Sequence, residues 1–297
     1  MTSHDFRHGM IYRFIEMTDI CISSYRILEE IGRGGMGRVF KAEDSRSGQM
    51  VAVKVIAEKH LADYQMVKRF EREGLVISSM KHPNICGFYE AGTWNDRPYI
   101  AMELLDGETV KDRIRRHELF KEGELISIAV QIAGALHAAH SVDILHRDIK
   151  PSNIFLNKCG RTKLLDFGMA KFIHRKPMPI TNDSMATVAM SFATFPGTIL
   201  GTVAYMSPEQ ARAEPLDLRT DLYSLGVVLH EMTTGELPLG RALSRQLPNW
   251  LEPIVRKLTA AMPADRYLSS SELRADLETV ASSSGLIAGR SRQVAAC

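Results

Sequence analysis

The run His146-Arg147-Asp148-Ile149-Lys150-Pro151-Ser152-Asn153, followed by Asp166-Phe167-Gly168, gathers two carboxylates, a side-chain amide and a lysine into two short polar segments, each preceded by apolar residues suited to strand-like support. In-line transfer of a phosphoryl group needs a carboxylate near the attacking hydroxyl, oxygen ligands for magnesium and cations against the phosphate charge. Asp148, Asn153, Asp166 and Lys150 make up that set. Upstream, Gly32-Arg33-Gly34-Gly35-Met36-Gly37-Arg38-Val39 has the form G-x-G-x-x-G-x-V, whose bare backbone can approach phosphates that a side chain would push away. On its own this run reads more readily as a glycine-rich hairpin turn. It is not a P-loop, because Arg38 and Val39 stand where Lys and Ser/Thr are needed. Nor is it a dinucleotide fingerprint: Glu58 has the acid's spacing, but Arg38 to Val55 reads as two strands with no room for the helix.

These residues need a scaffold. From Tyr25 the text is strand-like to Ile31, resumes from Arg38 to Ala42, turns at Asp44 to Gln49 and enters the β-branched run Val51, Val53, Val55, which predicts a small antiparallel sheet. Lys54 lies on that last strand. A solvent-facing lysine is the ordinary reading there, yet Glu73 lies on an apolar helical face with Met66, Phe70, Ile77 and Met80, and a carboxylate in that place wants a cation. A Lys54–Glu73 ion pair answers both. Beyond Gly107 the pattern turns helical (Leu125, Ile128, Ile132, Leu136), with strand-like pieces at Ile144, Ile154 to Leu156 and Lys163 to Leu165. Asp221 to Thr234 is apolar almost all round, as in a buried helix. A last helix is expected from about Glu272 to Val280, with Ser269 and Glu272 as a capping box. The stretch from Met169 to Leu200 has no stable period, and long irregular loops are usually functional.

The 297 residues suit one large domain or two lobes, and a net charge of +2 gives no reason to expect a nucleic-acid partner. The four cysteines are scattered, without metal-site or disulfide-framework spacing, and are expected to be free thiols in a reducing compartment. No stretch is long and apolar enough for a membrane span and no leader pattern is present, so the cytoplasm is the expected location.

Taken in order, these segments resemble the eukaryotic-type protein kinases. Gly201-Thr202-Val203-Ala204-Tyr205-Met206-Ser207-Pro208-Glu209-Gln210 is similar to their bacterial serine/threonine branch. The resemblance covers about Tyr25 to Val280. It implies an α+β, bilobal protein-kinase fold: a small antiparallel sheet with one helix over about 25–103 and a larger, mainly helical lobe over about 106–280. Residues 1–24 are read as an extension and 281–297 as a disordered tail. The implied activity is transfer of the ATP γ-phosphate to serine or threonine of proteins, with autophosphorylation of the activation segment; a pseudokinase scaffold is the alternative and a small-molecule kinase a third reading.

The same resemblance implies roles. Asp148 accepts or orients the hydroxyl proton, Lys150 steadies the γ-phosphate, Asn153 and Asp166 hold magnesium, with manganese as the alternative ion, and Lys54 pairs with Glu73. ATP would be held by Ile31, Gly32, Gly34, Gly35, Gly37, Val39, Ala52, Lys54, Met102 and Phe155, with the backbone of Glu103 to Leu105 as a hinge. Glu209 would pair with Arg266, and Asp221 would brace the catalytic-loop backbone. Arg147 before Asp148 implies control by phosphate on the activation segment, where Thr181, Ser184, Thr187, Ser191, Thr194 and Thr198 are candidates. Protein substrates and a dimer for autophosphorylation in trans are the implied partners. Phe155 is bulkier than the family's aliphatic residue, Ser207 replaces a common alanine, and the interval from Pro238 to Pro253 is short for the family's extra helix.

Overall fold

A computed structural model describes residues 20–34, 37–57, 61, 67, 80–167, 171–172, 203–238 and 247–283. The chain divides into two compact units, one formed by residues up to Ser79 with Cys86–Leu105, the other by Met80–Ile85 with residues from Asp106 onward.

The first unit is built on six strands: β1 (Cys21–Ile22), β2 (Tyr25–Arg33), β3 (Gly37–Asp44), β4 (Met50–Ile56), β5 (Phe88–Trp94) and β6 (Arg97–Glu103). They form one antiparallel sheet in the order β1-β2-β3-β4-β6-β5. The expected turn after Asp44 closes through Gly48, whose N–H donates to the Asp44 carbonyl at 2.7 Å and whose φ is +71°. The β5–β6 turn, Asn95-Asp96, has φ of +47° and +58°, the left-handed pair that matches hairpin twist and that Asn and Asp tolerate.

Alternation along β4 splits its residues between two apolar layers. Val51, Val53 and Val55 join Ile22, Tyr25, Ile27, Ala42, Tyr99 and Ala101 on one face. Ile56 lies on the other face with Ile100, flanked by Leu61, Val67, Phe88 and Met102. Ala52 and Lys54 share the parity of Ile56, so they point to this second face.

The second unit begins with β7 (Gly107–Thr109), α1 (Val110–Arg115) and α2 (Glu122–His140). Thr109 caps α1 in a reciprocal box with Asp112. The apolar period read in α2 is its buried stripe: Leu125, Ile128, Ile132 and Leu136. Then come β8 (Ile144–Leu145), β9 (Ile154–Asn157), β10 (Thr162–Leu164) and β11 (Lys171–Phe172); β10-β9-β7 and β11-β8 make two small antiparallel ladders.

The remaining helices are α3 (Pro208–Ala211), α4 (Arg219–Thr234), α5 (Glu252–Leu258) and α6 (Ser270–Ser283). Helix α4 is buried over most of its circumference, as its composition requires. Helix α6 starts before and ends after the span read from sequence. Its box is half-formed: Ser269 Oγ accepts the Glu272 N–H at 3.1 Å, but the Glu272 carboxylate takes the N–H of Leu268 rather than of Ser269. Cys21 and Cys86 are thiols outside any disulfide, whereas Cys159 is disulfide-bonded, so the expectation of thiols throughout fails there.

Candidate active site

Register in the first unit's sheet gathers several of the expected nucleotide residues. Val39 faces Lys54 across β3–β4, and Ala52 faces Met102 across β4–β6, so all four side chains leave the same face of the sheet. Lys54 is 9 % exposed, far from the solvent-facing lysine that is the usual occupant of a strand. Glu73, its expected partner, lies outside the described residues.

In the glycine segment, Gly34 N–H donates to the Gly37 carbonyl at 2.9 Å, closing the turn; Gly35 lies outside the described residues. The other glycines differ in what they meet. A Cβ on Gly37 would stand 2.1 Å from the Val55 carbonyl oxygen, so only glycine lets β3 pair there, whereas a Cβ on Gly34 would meet nothing within 4 Å. Gly32 lies beside Val39, and Ile31 is exposed at 47 %. At the end of β6, Glu103 is pinned to Gly87: its N–H donates to the Gly87 carbonyl at 2.8 Å and its carboxylate accepts the Gly87 N–H at 2.9 Å. Leu105 follows as the last residue of the first unit.

The second unit assembles the other expected residues around the loop after β8. Asp148 Oδ2 accepts Lys150 Nζ at 2.7 Å and Asn153 Nδ2 at 3.1 Å, and the same amide donates to the Asp148 carbonyl at 2.8 Å. With its NH2 so engaged, Asn153 has Oδ1 as the side-chain oxygen that could hold a metal. Burial pushes the Asp148 carboxyl up from its ordinary value, opposed by Lys150 and His146. The Leu165 N–H donates to the Asn153 carbonyl at 2.8 Å, which ties this loop to the one bearing Asp166. Asp166 itself has φ +57°, a conformation that aspartate tolerates better than most residues. Phe155 is in β9, opposite Lys163.

The loop's shape is held from α4. Asp221, 0 % exposed, accepts the N–H of His146 at 2.9 Å and of Arg147 at 2.7 Å, and its Oδ2 also meets His140 Nε2 at 2.9 Å. Burial would raise this carboxyl, but the hydrogen bond and charge of His140, with the loop N–H groups, hold it below the ordinary aspartate value. Arg147 adopts φ +67°, a strain repaired by bonds on both sides: its N–H to Asp221 and its carbonyl to Gln210 Nε2 at 2.8 Å. His146 accepts the Asp148 N–H at Nδ1 and donates from Nε2 to the Leu165 carbonyl at 2.8 Å, its ring 4.5 Å from that of Phe167.

A second buried pair supports the loop after α3. Arg266 donates in a fork to Glu209 at 2.7 and 2.9 Å and also to the carbonyls of Ala260 and Arg219. Burial works against the Glu209 carboxylate, but the bonds from Arg266 and Thr220 hold it down at about 2. Ser207 Oγ accepts the Gln210 N–H at 3.2 Å, capping α3.

Sequence reasoning missed three supporting residues: His140, Gln210 and Thr220. Nothing in the period of α2 distinguishes His140 from any other polar residue at a helix end; only the packing of α4 brings Asp221 to it.

Residues 25–274 match the family described as protein kinase domain. A probable serine/threonine-protein kinase PknB of Lactococcus lactis is 33 % identical, the match covering 89 % of this chain and 43 % of the relative. The serine/threonine-protein kinase PrkC of Bacillus subtilis is 34 % identical over 86 % of this chain and 40 % of its own length. The chain thus spans about two fifths of the curated relatives it matches. Among solved structures, the kinase domain of Mycobacterium tuberculosis PknI overlays with a TM-score of 0.69 at 25 % identity, covering 89 % of this chain and 98 % of that one. This family uses ATP and a divalent metal, and its substrates are proteins. Among the described residues no helix is long and apolar enough to cross a membrane. The chain belongs to the protein kinase family, in its bacterial serine/threonine branch.

Proposed function

We propose that this chain transfers the γ-phosphate of ATP to serine and threonine hydroxyls of proteins, its own activation segment included. The observation that carries the reading is the arrangement at Asp148: a partly buried carboxylate oriented by Lys150 and Asn153 on a loop whose backbone is fixed by Asp221. A carboxylate so placed can accept a hydroxyl proton as the oxygen attacks, and Lys150, 2.7 Å from it, brings a cation to the charge that moves in the transition state.

The donor set fits magnesium. Asn153 Oδ1 and the Asp166 carboxylate are hard oxygen ligands, and an ion that keeps most of its waters and substrate phosphates needs only one or two such groups from protein. Manganese would suit the same oxygens. When bound, the metal neutralises phosphate charge. In the first unit, the shared face of Val39, Ala52, Lys54 and Met102 fits an adenine-bearing nucleotide, with Ile31, Gly32, Gly34 and Gly37 toward its phosphates and the Glu103 to Leu105 backbone as its hinge. Lys54, paired with Glu73, would hold the α- and β-phosphates. Cytoplasmic placement belongs to the same proposal, since ATP is supplied there, as does dimerisation for phosphorylation in trans.

The test is acceptor identity. Incubated with labelled ATP, magnesium and a generic protein, the chain should place phosphate on serine and threonine and leave small alcohols unlabelled. Labelled tyrosine alone, or labelled small alcohols, would overturn the assignment.

A further inference from the structure

One side chain of α3 reaches the loop that bears Asp148. Gln210 is anchored at its backbone: Ser207 Oγ accepts its N–H at 3.2 Å, and the residue before it, Glu209, is held in the fork of Arg266. Its side-chain Nε2 donates to the Arg147 carbonyl at 2.8 Å. That bond fixes which way round the amide lies, since the reverse would set two acceptors face to face. Oε1 is therefore the other end of the amide, and it is buried without a hydrogen bond among the described residues. Leaving a buried acceptor so is costly, and native proteins satisfy such atoms with protein or ordered water.

Gln210 also lines a cavity of about 10 Å³, shared with Arg147, Asp148, Tyr205 and Ser224 and lying wholly within the second unit. That is the room one water needs, and a buried water also needs a few polar partners. The lining supplies them. Gln210 Oε1 accepts one water proton. Ser224 Oγ spends its own proton on the Tyr205 carbonyl at 2.7 Å and keeps a lone pair for the other. The guanidinium of Arg147 is a donor suited to the water oxygen.

We propose that Gln210 is a positioning residue for phosphoryl transfer: Nε2 sets the Arg147 carbonyl, and Oε1 holds one ordered water in the cavity beside Asp148. The role rests on the kinase reading. Arg147 is the left-handed residue, φ +67°, that leads into Asp148, and Asp221 fixes only its N–H side. The carbonyl belongs to the peptide that joins Arg147 to Asp148. At the other end of that peptide, the Asp148 N–H has only a 3.2 Å bond to His146 Nδ1. Without the Gln210 amide the peptide plane is free to rotate, and Asp148 turns with it.

The experiment compares the full chain with two variants of similar size. Gln210→Glu puts a second acceptor opposite the Arg147 carbonyl, and Gln210→Met removes both polar ends. In each, kcat toward a generic protein should fall about tenfold or more with KM for ATP unchanged, and the melting temperature should stay within a few degrees of the parent. Diffraction from the parent chain should show one ordered water about 3 Å from Gln210 Oε1, lost in Gln210→Met. Full rate in both variants overturns the positioning role. So does a melting temperature lower by more than about ten degrees, which would make Gln210 a residue of the fold. Oε1 bonded to protein in place of water overturns the water site. A parent chain that transfers no phosphate would overturn the kinase reading and the positioning role together, and the diffraction result would still decide the water; an active parent with fully active variants would overturn the role alone.

Discussion

Asp221, buried in α4, binds the backbone N–H of Arg147 at 2.7 Å and so holds a left-handed residue immediately before Asp148. The Asp148 carboxylate owes its direction to this distant bond, since the backbone turn at Arg147 decides where Asp148 points.

Asp221→Asn should therefore damage turnover more than folding. The amide keeps one acceptor but sets an NH2 among donors that the carboxylate now satisfies, a loss of about 2 kcal/mol or more in loop stability. We expect kcat to fall at least about 100-fold with KM for ATP nearly unchanged. An equal rise in KM with kcat intact would place Asp221 in nucleotide binding instead.

The Asp148 carboxyl is raised by burial and lowered by Lys150. On the proposed role its ionised form takes the proton, so the acid limb of the rate profile should lie above the ordinary aspartate value of 3.8. In Lys150→Met the loss of the cation should move that limb higher still. A limb that stays in place in the variant would separate Lys150 from the titration of Asp148.

Glu209 should leave its mark on stability against pH. Its folded value of about 2 lies below the ordinary 4.5, so its contribution is fully present above pH 4.5 and is lost as pH falls toward 2. The shift corresponds to roughly 3 kcal/mol. Arg266→Met strands a buried carboxylate and should cost about 3–5 kcal/mol at neutral pH, with the acid limb flattened. Denaturant titrations from pH 7 to pH 3 would reveal an unchanged slope if the pair were energetically idle.

Gly34 and Gly37 should respond differently. Gly37→Ala forces a methyl into the Val55 carbonyl and should lower stability by about 1–3 kcal/mol. Gly34→Ala has open space, so melting should hold while KM for ATP rises. Loss of melting temperature in Gly34→Ala would show that the open space is needed by the fold rather than by nucleotide.

Much of this was legible in the sequence because period and turn chemistry are local. The α2 stripe, the buried α4 helix and the turn at Asp44 follow from side-chain spacing, and the polar sets at 146–153 and 166–168 follow from the needs of phosphoryl transfer. The β5–β6 hairpin was missed although Asn95-Asp96 is a recognisable left-handed turn, because β5 has no buried residue and mixes aromatic residues with Glu90, Gly92 and Thr93 without a clean apolar face. His140, Gln210 and Thr220 were missed for a different reason: their partners are 81, 63 and 11 residues away, and only packing joins them. Glu73, Gly35 and the candidate phosphosites between Thr181 and Thr198 lie outside the described residues and rest on sequence alone.

The most direct test compares the chain with Asp148→Asn, each incubated with magnesium and labelled ATP and mapped by mass spectrometry. The account predicts phosphate on serines or threonines between Met169 and Thr202 in the parent chain and none in the variant, with ATP affinity retained by both. Equal labelling of the two would contradict the role of Asp148, and ATP binding without phosphate in either would replace the kinase reading with a nucleotide-binding scaffold.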